Sequence, residues 1–249
     1  MKKNIIIITF ILFTSAVVFT GCKKDKDNGP AERSISFHLH TVVGNTVANY
    51  TSVFTDATGR SFTLSDCRYY ISNIVFIKDD GTELPMTGKV LLANPATMKY
   101  EIGKVPVGKY KGFRFLFGLD SVTNHADPAT YPSTSPLSYQ NPNIHWGWNT
   151  GYIFMKLEGK VDSTAAANGT PDFDFYYHLG LDQMKRTIDF STTAFEVTST
   201  EDMELGIVFD LKKVLNGVNI PQENFTHTMD NMPLANKIVN NIPAAFEIE

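Results

Sequence analysis

Short segments in which polar and apolar residues alternate are the feature that most limits the folds open to this 249-residue chain. Residues 34–40 alternate strictly, which puts Ile35 and Phe37 on one face of an extended strand and His38 and His40 on the other. Segments of similar character recur, separated by turn signals rich in Gly, Pro, Asn and Asp. The further predicted strands are residues 68–78, 89–93, 112–119, 151–161, 173–180, 185–190, 194–198 and 204–210.

Helical periodicity is scarce and comes late in the sequence. Residues 210–216 predict one or two helical turns, and residues 233–242 place apolar side chains at four-residue steps after a proline suited to a first turn. Because strands without interleaved helices pair in antiparallel sheets, the sequence predicts an all-β, antiparallel β-sandwich, Greek-key or immunoglobulin-like, with one or two short helices near the C-terminus. No internal repeat or second linker interrupts residues 32–249, which are predicted to form a single domain.

The N-terminal segment predicts a cellular location. Two lysines precede an apolar run at residues 5–19, which leads to a small residue and then Cys22, as in a bacterial lipoprotein signal. Residues 1–21 are therefore predicted to be a signal peptide, Cys22 the acylated first residue of the mature chain, and residues 22–31 its flexible tether. We expect an outer-membrane lipoprotein, facing the periplasm or the medium, that is held to the membrane by its lipid anchor.

Charge, cysteine content and missing motifs argue against several classes of protein. Loss of residues 1–21 would remove two lysines and no acidic residue, leaving 20 basic and 26 acidic residues and a net charge of −6. An acidic balance without basic runs argues against a nucleic-acid partner. With Cys22 acylated, Cys67 remains alone and can form neither an internal disulfide nor a thiolate-rich zinc site. The chain has no Gly-x-Ser-x-Gly, His-Glu-x-x-His or phosphate-binding glycine loop, so we predict that it is not an enzyme.

A long loop-like interval after residue 117 is rich in possible ligands. Asp120, Asn124 and Asp127 offer oxygen atoms that could hold calcium or hydrogen-bond a metal-bound imidazole, and His125 lies among them. The alternative is a surface loop in which the Asp and Asn side chains cap their own turns. Their spacing does not match the helix-loop-helix calcium pattern, so capping is the stronger prediction for these side chains.

Six histidines could provide imidazole ligands for copper or zinc. His38 and His40 share the polar face of the first strand, and His178 lies on the polar face of a later one. If these two strands are neighbours, three imidazoles converge outside the core on an accessible metal. Taken singly, each is more simply a solvent-facing or capping histidine.

Both tryptophans lie close together, directly after His145. In an extended strand Trp146 and Trp148 project to the same face and His145 to the other, unless the intervening glycine breaks the alternation. Such a pair could plug the end of a sandwich, stack on sugars together with Tyr139 and Tyr152, or lie beside a redox metal.

Five motifs in a fixed order resemble one family. They are residues 117–121 (Phe-Gly-Leu-Asp-Ser), 124–128 (Asn-His-Ala-Asp-Pro), 135–137 (Ser-Pro-Leu), 146–159, which begin with Trp-x-Trp-x-x-Gly-Tyr and end with Glu-Gly, and 177–180 (Tyr-His-Leu-Gly). In this order they resemble the MbnP-like copper-binding family, and the likeness covers most of residues 34–249. The Trp-x-Trp segment is its most specific part.

The resemblance implies a secreted β-sandwich that binds copper, as Cu(I) or Cu(II), through histidine imidazoles. In some relatives a tryptophan oxidised to kynurenine supplies a further nitrogen ligand, and a dihaem peroxidase-like partner performs that oxidation. One branch carries four cysteines in its second half; this chain has none there, so no disulfide is implied. The candidate ligands on this chain are His38, His40, His145, His178, Trp146 and Trp148.

The sequence therefore predicts a cell-envelope lipoprotein that binds copper for its acquisition or handling. The competing interpretation is a surface glycan-binding or structural module that uses exposed aromatic side chains. The two differ in geometry, because a copper site needs at least two imidazoles within about 2 Å of one point, whereas a sugar platform needs indole faces open to solvent.

Overall fold

A computed structural model describes residues 31–147 and 149–249 of the protein. The predicted signal peptide, Cys22, the tether up to residue 30 and Trp148 lie outside the described residues. The strands are β1 (Glu32–Val43), β2 (Thr46–Val47), β3 (Phe54–Thr55), β4 (Ser61–Lys78), β5 (Glu83–Pro85), β6 (Leu91–Ala93), β7 (Lys99–Pro106), β8 (Gly108–Phe117), β9 (His145–Gly147), β10 (Gly151–Val161), β11 (Phe173–Gly180), β12 (Arg186–Phe190), β13 (Phe195–Val197), β14 (Met203–Asp210), β15 (Phe225–Thr226) and β16 (Phe246–Ile248).

The described helices are few and mostly short. They are α1 (Ser121–Asn124), α2 (Leu211–Val214) and α3 (Met232–Ala245), with 3₁₀ turns at Pro128–Thr130 and Asp182–Met184. The two helices predicted near the C-terminus are present as α2 and α3, whereas α1 lies in the interval predicted to be loop. No helix among the described residues is long and apolar enough to cross a membrane.

The strands form two sheets that pack as a sandwich, which confirms the predicted all-β class. The smaller sheet has the order β16-β14-β1-β2, with β7 also paired to β1. The larger sheet has the order β12-β8-β4-β10-β11-β15, with short strands added along β4, β8 and β10. The pairings are antiparallel except for β1 with β14 and β11 with β15, which are parallel. The sheets are therefore mixed rather than purely antiparallel.

Aromatic side chains fill the space between the sheets. Phe37 of β1 is fully buried and reaches across to the larger sheet, where its ring centroid lies 5.4 Å from that of Phe113 and 5.9 Å from that of Phe115. The alternation seen in residues 34–40 therefore has a direct structural cause. Its apolar side chains face this core, and His38 and His40 face outward.

Replacing Phe37 with alanine should lower the free energy of unfolding by about 3–5 kcal/mol, because it leaves a large cavity between the two sheets. Equilibrium denaturation in urea measures this loss. The matched control is Val122→Ala, whose side chain is 85% exposed and whose loss should stay within about 0.5 kcal/mol. A loss for Phe37→Ala no larger than that of the control would contradict the inter-sheet contact.

Candidate functional site

The loop after β8 begins with two short turns that are capped by carboxylates. Asp120 accepts hydrogen bonds from the backbone N–H groups of Val122 (3.0 Å) and Thr123 (3.1 Å) at the start of α1. Asp127 accepts one from the N–H of Ala129 (2.9 Å) at the following 3₁₀ turn. Both carboxylates satisfy backbone donors that a helix start leaves unpaired. The capping alternative therefore describes these two side chains.

Asn124 fastens this loop to the larger sheet. Its side chain is fully buried; its Oδ1 accepts the N–H of Tyr152 (2.8 Å) and its Nδ2 donates to Asp182 Oδ1 (2.9 Å). Space for the amide comes from Gly151, since a Cβ there would lie 2.3 Å from Asn124 Oδ1. The Asn-His motif and the Gly-Tyr motif therefore contact each other directly.

His125 follows Asn124 and lies near the same carboxylate. Its Nε2 is 3.6 Å from Asp182 Oδ2, and that oxygen also accepts the hydroxyl of Ser121 at 2.5 Å. Burial tends to raise the pKa of Asp182, but the hydrogen bonds from Ser121 and Asn124 outweigh it and hold the pKa below its ordinary value. Asp182 is therefore an ionised anchor for the start of the loop.

His145 is a further candidate ligand near this loop. It lies in β9 opposite Tyr152, and the two rings meet edge to face with centroids 4.7 Å apart. Its Nε2 is buried and has no hydrogen-bond partner among the described residues. Burial lowers the pKa of His145, and the nearby Asp127 opposes this only in part. A neutral imidazole with an unpaired buried nitrogen requires an explanation in a folded protein.

Trp146 is half-buried and packs over a glycine. A Cβ on Gly180, at the end of β11, would lie 2.6 Å from Trp146 Cζ3, so the indole occupies the space that this glycine leaves. The indole also packs against the edge of the core. The core-plug interpretation therefore describes one side of Trp146.

The other side of this segment faces a pocket of about 360 Å³. Trp146 and His145 both line it, although strict alternation would send them to opposite faces. The strand is only three residues long, and a register shift in its pairing with β10 leaves Trp146 as a bulged residue between His145 and Gly147, which breaks the alternation. The pocket residues that carry side-chain chemistry are His125, Asp127, Tyr139, His145 and Trp146.

The predicted four-residue aromatic platform is not formed as expected. Tyr139 is 66% exposed at the pocket, but Tyr152 is fully buried and its hydroxyl donates to the carbonyl oxygen of Leu137 at 2.5 Å. The prediction that Tyr152 offers a face to a sugar is therefore wrong. Its position at the start of a central strand, between other aromatic rings, explains the burial.

The predicted convergence of His38, His40 and His178 is also wrong. β1 belongs to the smaller sheet and β11 to the larger one, and all three side chains point away from the core. The condition for convergence, adjacent strands, is therefore not met. His38 and His40 do contact each other, with their Nε2 atoms 3.0 Å apart.

His178 belongs instead to a network of charged side chains on the outer face of the larger sheet. Its Nε2 lies 2.7 Å from Glu158 Oε1, and its ring lies against that of His227 with centroids 4.6 Å apart. Lys156 Nζ is 3.1 Å from the same Glu158 oxygen and 3.4 Å from Asp66 Oδ2. Burial lowers the pKa of His178, although Glu158 opposes the shift.

Sequence reasoning did not find Asp182, Glu158, Glu204 or Glu249, the carboxylates that contact the candidate histidines. Each carboxylate is separated from its histidine by 20 or more residues and reaches it through strand pairing or a turn. No local sequence spacing therefore indicates these contacts. Within residues 31–147 and 149–249, no group of three or more His, Cys, Asp or Glu side chains is arranged to hold a metal ion.

The fold and the pocket define a class of protein: a β-sandwich in which a Trp-containing strand and an Asn-anchored loop enclose a histidine-lined pocket. The MbnP family model matches residues 32–232, so the chain belongs to the MbnP family. MbnP from Methylosinus trichosporium has a similar fold, with a TM-score of 0.53 and 13% sequence identity over 76% of this chain and 80% of that chain. No curated protein matches the sequence.

Protonation of His145 should destabilise the fold. Because burial lowers its pKa in the folded state, the unfolded chain takes up a proton first, so stability is complete above the ordinary histidine pKa of about 6.5 and decreases as the pH falls below it. The free energy of unfolding should thus be lower at about pH 5.5 than at about pH 7.5, and His178, with the same direction of shift, adds to the difference.

Urea denaturation at the two pH values measures this difference. His145→Gln cannot titrate, so it should show a smaller pH-dependent loss than the wild type. Tyr139→Phe changes the same pocket without altering a group that titrates in this range, and it should keep the full loss. An unchanged loss in His145→Gln would contradict the assignment.

Proposed function

We propose that this protein is a cell-envelope lipoprotein that binds copper in the pocket beside Trp146, for copper acquisition or handling rather than catalysis. The observation that carries the proposal is the buried Nε2 of His145, which has no protein partner among the described residues and belongs to a residue that lines the pocket. Membership of the MbnP family supports the same assignment.

The donor atoms available in the pocket suit copper chemically. His145 and His125 line it with imidazole nitrogens, which suit both Cu(I) and Cu(II), and affinities for divalent metals peak at copper. Burial keeps His145 neutral, so its nitrogen can accept a metal without first losing a proton. The contact between Asp182 and His125 would restrict the orientation of that ring. Bound copper would provide a centre for metal storage or delivery.

Trp146 supplies the second part of the proposal. Its indole lies between Gly180 and the pocket and is held there by packing. Oxidation to kynurenine would place an aromatic amine at the wall of the pocket as a further nitrogen ligand. We propose that a dihaem peroxidase-like partner performs this oxidation, at Trp146 or at Trp148.

Copper content tests the proposed ligands. The protein is purified from cells grown with copper, dialysed against a weak chelator, and measured by elemental analysis together with mass spectrometry of the peptide that contains Trp146. His145→Ala and His125→Ala should each reduce bound copper at least tenfold, whereas His227→Ala, which removes an exposed imidazole, should not.

Two other outcomes would overturn the assignment. Copper lost only in His178→Ala would move the site to the charged network around Glu158. Copper unchanged in both pocket variants, together with binding of glycans that requires Trp146, would favour the glycan-binding module. An oxidised Trp146 peptide in the copper-loaded protein would support kynurenine as a ligand.

The proposed lipid anchor depends on Cys22. Replacing it with serine removes the thiol that would be acylated, so the protein should move from the membrane fraction to the soluble fraction and lose the mass of the lipid. Cys67→Ser is the matched control, because that cysteine is fully buried in the core. A Cys22→Ser protein that remains in the outer membrane would contradict the anchor.

A further inference from the structure

His38 and His40 form a pair on the outer face of β1. This strand belongs to a different sheet from the strands that flank the pocket lined by His145 and Trp146, called here the tryptophan pocket. Alternation in the strand directs both rings to the same side, where they meet almost at right angles with an interplanar angle of 83° and centroids 4.3 Å apart. Their Nε2 atoms face each other at 3.0 Å. The side chains are 31% and 25% exposed, so solutes can reach them.

A carboxylate holds the other nitrogen of each ring. His38 Nδ1 is 3.0 Å from Glu204 Oε1, and His40 Nδ1 is 2.6 Å from Glu249 Oε1. Lys99 Nζ lies 3.1 Å from Glu204 Oε2 and forms an ion pair with that carboxylate. Since an ionised carboxylate only accepts hydrogen bonds, each Nδ1 carries its hydrogen.

The consequence is that both Nε2 atoms present lone pairs to each other. Two neutral lone pairs at 3.0 Å repel unless a cation lies between them, either one shared proton or a metal ion. Carboxylate–histidine pairs of this kind commonly orient metal-binding imidazoles. The charged groups that surround the pair are Glu204, Glu249 and Lys99, of which two are acidic.

We propose that the His38–His40 pair is a second metal site, which binds a divalent first-row ion, Cu²⁺ most tightly, through its two Nε2 atoms. With metal–nitrogen distances of about 2.0–2.1 Å, the observed separation corresponds to an angle of about 91–97° at the metal. That angle is typical of adjacent ligands in the square-planar or tetragonal geometry of Cu(II) and Ni(II). Water would complete the coordination.

The surrounding backbone leaves room for this arrangement. Gly206 of β14 is paired with His38 in the sheet, and a Cβ there would lie 2.7 Å from Glu249 Oε2 and 3.0 Å from Glu249 Cβ. The glycine therefore allows the Glu249 side chain to lie across the strand and reach His40. The site draws on β1, β14 and the residue after β16, which pack together in one sheet.

Titration of metal-free protein with Cu²⁺ tests the pair. The background is His145→Ala with Trp146→Phe, so that failure of the tryptophan pocket cannot be confused with failure of this site. Calorimetry should show one binding event, and electron paramagnetic resonance should show a tetragonal Cu(II) signal with splitting from two imidazole nitrogens. His38→Ala and His40→Ala should each weaken binding at least tenfold.

Two further variants separate metal binding from a general effect on the fold. Glu249→Gln keeps both imidazoles but weakens the support of one Nδ1, and it should reduce affinity about 10–100-fold. His227→Ala removes an exposed histidine from the other sheet and should leave affinity unchanged. Nitrogen splitting that persists in His38→Ala with His40→Ala, or an absence of splitting in the parent background, would overturn the proposal.

Discussion

The buried side chain of Asn124 is the interaction on which the geometry of the pocket depends. An amide with no access to solvent must have its hydrogen bonds satisfied, and leaving such a group unpaired costs about 1–3 kcal/mol. Asn124 meets this requirement by bonding the N–H of Tyr152 at the start of β10 and the carboxylate of Asp182. Because one partner lies at the start of β10 and the other in the 3₁₀ turn after β11, one side chain fixes where the loop lies. The position of His125, the next residue, follows from that of Asn124.

Two glycines leave the space into which the Asn124 and Trp146 side chains pack. Gly151 has φ = +74° and leaves the volume that the Asn124 amide fills, and Gly180 leaves the volume beneath the Trp146 indole. A methyl group at either position would lie less than 3 Å from its neighbour. These contacts explain physically why the Asn-His, Trp-x-Trp, Gly-Tyr and His-Leu-Gly segments occur together in one chain: they are parts of a single packed unit that forms the pocket wall.

Much of the sandwich follows from local pattern, because a strand with one buried face must alternate. Residues 151–161 and 173–180 form strands with the predicted bounds, and the outward direction of His38 and His40 was predicted from alternation alone. Which strands pair with each other could not be predicted from alternation. β1 pairs in parallel with β14, so that Ser36 contacts Glu204 across 168 residues of sequence, and no periodicity encodes a pairing of that range. The mistaken convergence of His178 with the β1 histidines and the unrecognised carboxylates have this common cause.

The environments of His145 and of the His38–His40 pair differ in burial and in nearby charge, and this difference affects which metal each would bind. His145 is neutral because burial disfavours its protonated form, and its buried Nε2 has no hydrogen-bond partner among the described residues. Burying a cation there is least costly when the cation carries little charge or when several neutral nitrogens share it.

The His38–His40 pair is accessible to water, and each ring has a carboxylate behind it. The negative charges of Glu204 and Glu249 offset the two positive charges of a divalent cation. The outer pair therefore suits a divalent ion that exchanges with solvent. The inner pocket suits a cation that is retained through nitrogen ligation and packing. A protein with both environments could take up metal at its surface and hold it at a separate, protected position, without either site relying on the geometry of the other.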